Sequence, residues 1–259
     1  MLRIFRALRK YGPLGTAWSA CYIMDKFFGD RPGYRYPLTL FRKVLLKLHI
    51  YLDGQFDRAY GTDTSGIIPL SDLNIGNRNI QDCHWYAPMS IKVFRRIMDC
   101  LAIDFRRFDF VDFGSGKGRV LLLASQYGFK KIIGVEFAPE LHHIAAQNVK
   151  IWESRSQKPS GIETVCMDAV QFPIVNEPMV VFLYSPFVGS VLQSVLDNLT
   201  GSLARHSRDV VLIFYGANPE SIRLLEATGL MCQELKLRLD WSHFTHYRAL
   251  IFSNVKCKK

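Results

Sequence analysis

The 259-residue chain is 49% hydrophobic and 22% charged, a balance that excludes wholesale disorder and allows one large core with an appendage. Its formal charge is +10, and residues 1–50 hold ten Lys/Arg against two Asp, so +8 of it lies there and the remainder of the chain is close to neutral. No uninterrupted apolar stretch approaches the ~18 residues of a membrane span, and the six scattered cysteines form no C-x-x-C pair or zinc-like cluster, which points to reduced thiols, no metal site and a cytoplasmic protein.

In chain order, "MLRIFRALRK" places Leu2, Phe5 and Leu8 along one helical face with Arg3, Arg6, Arg9 and Lys10 around it. The basic start is soon interrupted by Gly, Pro and charge, which argues against a cleaved signal peptide. After a Gly/Pro/aromatic loop, "GDRPGYRYP", the stretch "TLFRKVLLKLHIYL" is a second basic amphipathic segment. Either segment suits a lid over a catalytic domain or a peripheral contact with an anionic membrane. "FDRAYGTDTSG", residues 56–66, has too many turn formers for a core element.

From residue 85 the pattern changes to short apolar runs alternating with helical periods. A helix over 89–103 leads to a strand "DFVDF", a glycine turn and a helix "RVLLLASQYG". Then come "KKIIGVE", a helix opened by Pro139, "IETVCMDA", "MVVFLYSPF", a helix over 188–206, "DVVLIFYG" and a helix over 218–229. "MCQELKLRLD" and "THYRALIFSN" close the chain with a short connection, hence antiparallel. The expectation is a doubly wound α/β fold, a mainly parallel seven-stranded sheet with a C-terminal antiparallel hairpin. Residues 1–84 are then a mostly helical basic segment and 85–259 the ligand-binding domain.

The chemistry centres on "FVDFGSGKGRVLLLAS", residues 110–125. Gly114, Gly116 and Gly118 allow a sharp turn and a close approach by a ligand, and the next helix presents free N–H groups. A P-loop is excluded, because Gly118 stands where Ser/Thr would hold magnesium and Val111 where the first glycine belongs. The G-x-G-x-G spacing also differs from the dinucleotide G-x-G-x-x-G. Asp112 beside the turn would repel a pyrophosphate but accept from an ammonium, which favours S-adenosylmethionine (AdoMet) over NAD. Glu136 ends the second strand, where a carboxylate accepts ribose hydroxyls. Asp168 ends the third, beside the adenine amino group, with Phe172 near the ring.

These residues carry a resemblance. Over about residues 85–255 the chain resembles class I (seven-strand) AdoMet-dependent methyltransferases, with "VDFGSGKG" as the first motif, "GVE" as the ribose acid and "MDA" as the adenine position. Within the class it is most similar to Dot1-like and related lysine methyltransferases, through "FVDFGSGKGRVLLLAS", "GVE" and "YGTDTS" at 60–65. The fourth strand ends "LYSPF", which departs from the Asn-containing sequence of that group and from the [DNS]-P-P-[YFW] of nucleic-acid amine methylases. The resemblance implies a Rossmann-like methyltransferase fold and methyl transfer to an acceptor such as a lysine or other amine of a protein or small molecule.

The expected donor site is Asp112, Gly114, Ser115, Gly116, Gly118, Glu136, Phe137, Asp168 and Ala169. Tyr184, Ser185, Pro186 and Phe187 are expected at the acceptor, and Tyr60, Thr62, Asp63 and Thr64 over the methionine end of the donor. Tyr86 is placed to face the donor, Lys117 to point to solvent, and His142 and His143 to lie on the surface. His243 and His246 have metal-like spacing only on a helix, and are expected to be structural or substrate-side groups. Nucleic acid ranks below protein or small molecule as acceptor, since the catalytic half is nearly neutral. Two other functions fit the same residues: a cofactor-binding partner protein without catalysis, and an NAD-dependent oxidoreductase, against which Asp112 argues.

Overall fold

The computed structural model describes residues 54–75, 80–156, 161–235 and 249–255. By internal contacts the chain divides into two compact units, residues 56–236 with 247–259, and residues 1–55 with 237–246. Nearly all of the second lies outside the described residues, as do both basic amphipathic segments, His243, His246, Cys21 and Cys257. The division expected at 84/85 falls inside the first unit, because residues 56–75 pack with the sheet domain.

Seven strands form one sheet in the order β3-β2-β1-β4-β5-β7-β6. They are β1 (Asp109–Phe113), β2 (Lys131–Glu136), β3 (Ile162–Cys166), β4 (Met179–Leu183), β5 (Val210–Tyr215), β6 (Met231–Leu235) and β7 (Ala249–Ser253). The first five are parallel, and β7 runs antiparallel between β5 and β6. The expected architecture is therefore the observed one, with β7 inserted between its hairpin partner and β5.

The apolar runs mark the centre of the sheet. Every residue of β1, β4, β5 and β7 is buried, as helices on both faces of a parallel sheet require. Val111, Val181, Leu212 and Phe252 join Leu192, Val195, Leu196 and Leu199 of the helix Gly189–Arg205 in one core cluster. On the other face Phe94, Phe110 and Phe182 pack mutually, edge to face or stacked, at 5.5–6.2 Å between centroids.

The helices are α1 (Ile91–Asp99), α2 (Arg119–Ala124), α3 (Pro139–Ser156), α4 (Gly189–Arg205) and α5 (Pro219–Glu226). Ser90 caps α1 and Asn218 caps α5, with Pro219 at the first turn, so those starts are encoded locally. The parallel arrangement brings the carboxyl ends of β1, β2, β3 and β4 to one edge, where crevices form in wound sheets.

Candidate functional site

A cleft open to solvent occupies that edge. Asp112, Gly114, Ser115, Gly116, Glu136, Phe137, Asp168, Ala169, Tyr184 and Phe187 all line it. The ends of four strands, spread over residues 112–187 of the sequence, thus share one cavity.

The glycine turn is fixed by protein contacts as much as by space for a ligand. Gly114, Gly116 and Gly118 have φ of +74°, +54° and +84°. A Cβ on Gly114 would lie 2.3 Å from Pro186 Cβ, and one on Gly116 the same distance from the Tyr86 ring. The turn is thereby pressed against the segment after β4 on one side and Tyr86 on the other. Gly118 is the N-cap of α2 and faces Ala145 of α3, outside the cleft lining. Ser115 lines the cleft, but its hydroxyl lies against β2, where a Cβ on Gly134 would come within 2.9 Å.

Asp112 is 2% exposed, and burial first, then the charge of Glu136, holds its carboxyl well above the usual range. Among the described residues none donates a hydrogen bond to that carboxylate. Glu136 is buried too, and burial raises its pKa against the pull of backbone N–H donors. Its Oε2 accepts from Gly116 N at 2.8 Å and its Oε1 from Ala138 N at 2.9 Å. A carboxylate offers about four lone-pair sites, so two remain for hydroxyl donors. Asp168 lies beyond β3 and caps the short turn Ala169–Gln171, accepting from Val170 N at 2.9 Å. Phe172 packs edge-on against Phe113 in the core and does not reach the cleft.

The loop expected over the donor has a different task. Asp57 accepts from Thr62 Oγ1, Thr64 N, Thr64 Oγ1 and Ser65 N, curling the loop around one carboxylate. The curled loop grips the residues after the glycines. Lys117 is 6% exposed, its ammonium 2.8 Å from Asp63 and 3.0 Å from Ser65 O, so the expectation of a solvent-facing lysine is corrected. Arg119 donates to Thr64 Oγ1 at 2.7 Å, and Tyr86 Oη to Thr64 O at 2.6 Å. Asn148 of α3 joins both parts, donating to Asp63 O and Lys117 O. Tyr60 closes an aromatic cluster with Phe56 and Trp152, at 4.8 and 4.7 Å, and is not a cleft residue. His142 is half-buried with Nε2 unpartnered, whereas His143 is exposed.

After β4, Tyr184 stacks at a tilt on Tyr215, 5.0 Å away. Ser185 is outside the cleft lining and, among the described residues, is the one non-glycine residue with positive φ, +39°. It is held by residues the sequence did not mark. His84 N donates to Pro186 O, Cys83 bridges Phe187, and Val188 N donates to Asp82 O. Cys83, His84, Trp85, Tyr86 and Met89 all line the cleft. Burial, with the charges of Asp168, Asp82 and Glu136, pushes the Cys83 thiol up to about 11. Among the described residues no group of three or more His, Cys, Asp or Glu is placed to hold a metal ion.

No family model matches the chain, and no curated protein matches it in sequence. Solved structures do align with it. An RNA methyltransferase from Salinibacter ruber, in complex with S-adenosyl-L-homocysteine, is 19% identical over 67% of this chain and 97% of its own, with a TM-score of 0.46. A precorrin-6y C5,15-methyltransferase from Geobacter metallireducens is 14% identical over 74% and 98%, with a TM-score of 0.47. A geranyl diphosphate C-methyltransferase from Streptomyces coelicolor is 12% identical over 62% and 77%, with a TM-score of 0.45. Similarity at this level leaves the activity to be read from the cleft itself.

Proposed function

We propose that the chain is an AdoMet-dependent methyltransferase acting on an acceptor that enters beside the end of β4. The observation that carries the reading is the set of three acids on one cleft around a glycine turn. Asp112 offers a buried carboxylate to which no described residue donates, suited to the ammonium of the methionine end. Glu136 keeps two lone-pair sites for the ribose hydroxyls, and Asp168 lies beside Ala169, where the adenine amino group would donate. The lysine of the glycine turn, Lys117, is held on Asp63 and is not among the cleft-lining residues.

The bound donor supplies an electrophilic methyl on sulfur, and the protein's part is to position the acceptor and exclude water. Tyr184 and Phe187 line the acceptor side, with aromatic faces suited to a cationic donor or acceptor. An amine acceptor of a protein or small molecule, with lysine as the instance the Dot1-like resemblance implies, fits those walls. The expectation against nucleic acid has no support in the cleft, so RNA belongs in the acceptor screen. Residues 1–50, with +8 of the formal charge, dock the cytoplasmic protein peripherally on anionic bilayers. Cosedimentation with phosphatidylserine vesicles, lost on deleting those residues, is the result that supports docking.

Titration calorimetry tests the enzyme reading. One AdoMet bound per chain, weakened by Asp112→Ala and Glu136→Ala, supports it. Preferential binding of NAD, or no binding of either, refutes it.

A further inference from the structure

We propose that His84 is the proton acceptor of the transfer, through an Nε2 whose lone pair is set by the backbone carbonyl of Ser185; the proposal rests on the methyl-transfer reading above. His84 Nδ1 lies 2.7 Å from Ser185 O and 3.3 Å from Ser185 Oγ. A carbonyl oxygen only accepts, so Nδ1 carries the hydrogen and donates it. In the neutral ring the remaining lone pair is then on Nε2. This is the arrangement of a general base oriented by a third group.

The pairing is built into the backbone. Residues 82–84 are tied to 186–188 by two hydrogen bonds, of 2.8 and 3.0 Å, and by the Cys83–Phe187 bridge. Ser185 takes φ of +39° immediately before Pro186, where a non-glycine residue is pushed toward extended conformations. This uncommon geometry accompanies the contact between the Ser185 carbonyl and the imidazole. His84 lines the cleft together with Trp85 and Tyr184.

The carboxylates and the thiol of the cleft do not serve. Asp112, Glu136 and Asp168 face the donor in the reading above, and Cys83 is held as a thiol. As the acceptor's nitrogen or oxygen forms its bond to the methyl carbon, the carbon–sulfur bond breaks and its electron pair stays on sulfur. The proton shed by the acceptor passes to Nε2, and the imidazolium returns it to water. The acceptor class is thus one with a removable proton on nitrogen or oxygen.

The test uses the full chain with ¹⁵N-labelled histidine at pH 8.5. His84→Asn assigns the His84 signals. Long-range ¹H–¹⁵N correlations should show the Nδ1–H tautomer, alone and with S-adenosylhomocysteine; an Nε2–H ring overturns the proposal. Asn retains a donor toward Ser185 O but no base. His84→Asn should keep AdoMet affinity within about twofold while transfer of labelled methyl from AdoMet to a whole-cell extract falls roughly 100-fold or more. Equal transfer by the variant overturns the role of His84, and so does a wild-type chain that binds AdoMet without transferring its methyl. A wild-type chain that fails to bind AdoMet refutes the methyltransferase reading itself.

Discussion

Replacing Glu136 by Gln tests the donor site at its most constrained carboxylate. Both oxygens already accept backbone N–H groups, from Gly116 and Ala138. In Gln one of those oxygens becomes an NH₂, so one buried N–H meets a donor instead of an acceptor. An unsatisfied buried N–H costs about 1–3 kcal/mol, and at roughly 2–4 °C per kcal/mol for a domain of this size the melting temperature should drop by several degrees. The same change removes an acceptor for a ribose hydroxyl. A hydrogen bond to a charged group contributes about 1.5–3 kcal/mol, or roughly 10- to 150-fold in Kd. Titration calorimetry with S-adenosylhomocysteine at pH 8 reads the affinity, and its 2′,3′-dideoxy analogue separates the two effects. Wild type should lose affinity for the analogue, and Glu136→Gln should lose little more. An unchanged Kd for Glu136→Gln, or a dideoxy analogue bound at full strength, refutes the assignment.

Asp112 sets a pH dependence. Its pKa is raised in the folded protein, so its contribution to stability is complete below the unfolded carboxylate range, near 4, and is lost as pH rises through the raised value. A ligand ammonium favours the ionised form, so AdoMet binding should release up to one proton and tighten with pH across that window. Calorimetry in buffers of different ionisation enthalpy checks this, with Asp112→Asn abolishing the release; affinity that falls with pH would contradict it. Gly116→Ala puts a Cβ 2.3 Å from the Tyr86 ring at φ +54°, and should cost about 1–3 kcal/mol in urea unfolding. Asp63→Ala leaves the Lys117 ammonium buried, whereas Asp63→Ala with Lys117→Met removes both charges. Because Asp63 is 65% exposed on its side chain, the coupling in a double-mutant cycle should be only about 0.5–1 kcal/mol, and additive effects would show that the pair does not hold the loop.

The strands were legible because burial on both faces leaves unbroken apolar runs such as "MVVFL" and "VVLIFY". The acids at β1 and β2 were legible because position on a wound sheet follows from order. Asp168 lines the cleft although β3 stops at Cys166, since the turn beyond it continues toward the same edge. What lies across long sequence separations was not legible. Lys117 looked solvent-facing because its partner Asp63 is 54 residues earlier in the chain. Tyr60 looked like a lid residue, yet ring packing on Trp152, far away on α3, claims it. His84 and Ser185 are 101 residues apart, and in "CHWYA" only Tyr86 was marked as facing the donor, not its neighbours Cys83, His84 and Trp85.

The most direct test of the account is a crystal structure of the full chain with S-adenosylhomocysteine. The account predicts the amino group of the ligand on Asp112, the ribose hydroxyls on Glu136 and the adenine beside Asp168, with the sulfur turned toward the mouth between His84 and Tyr184. Ligand bound elsewhere on the chain, or lying in the cleft with its ribose away from Glu136, would contradict it.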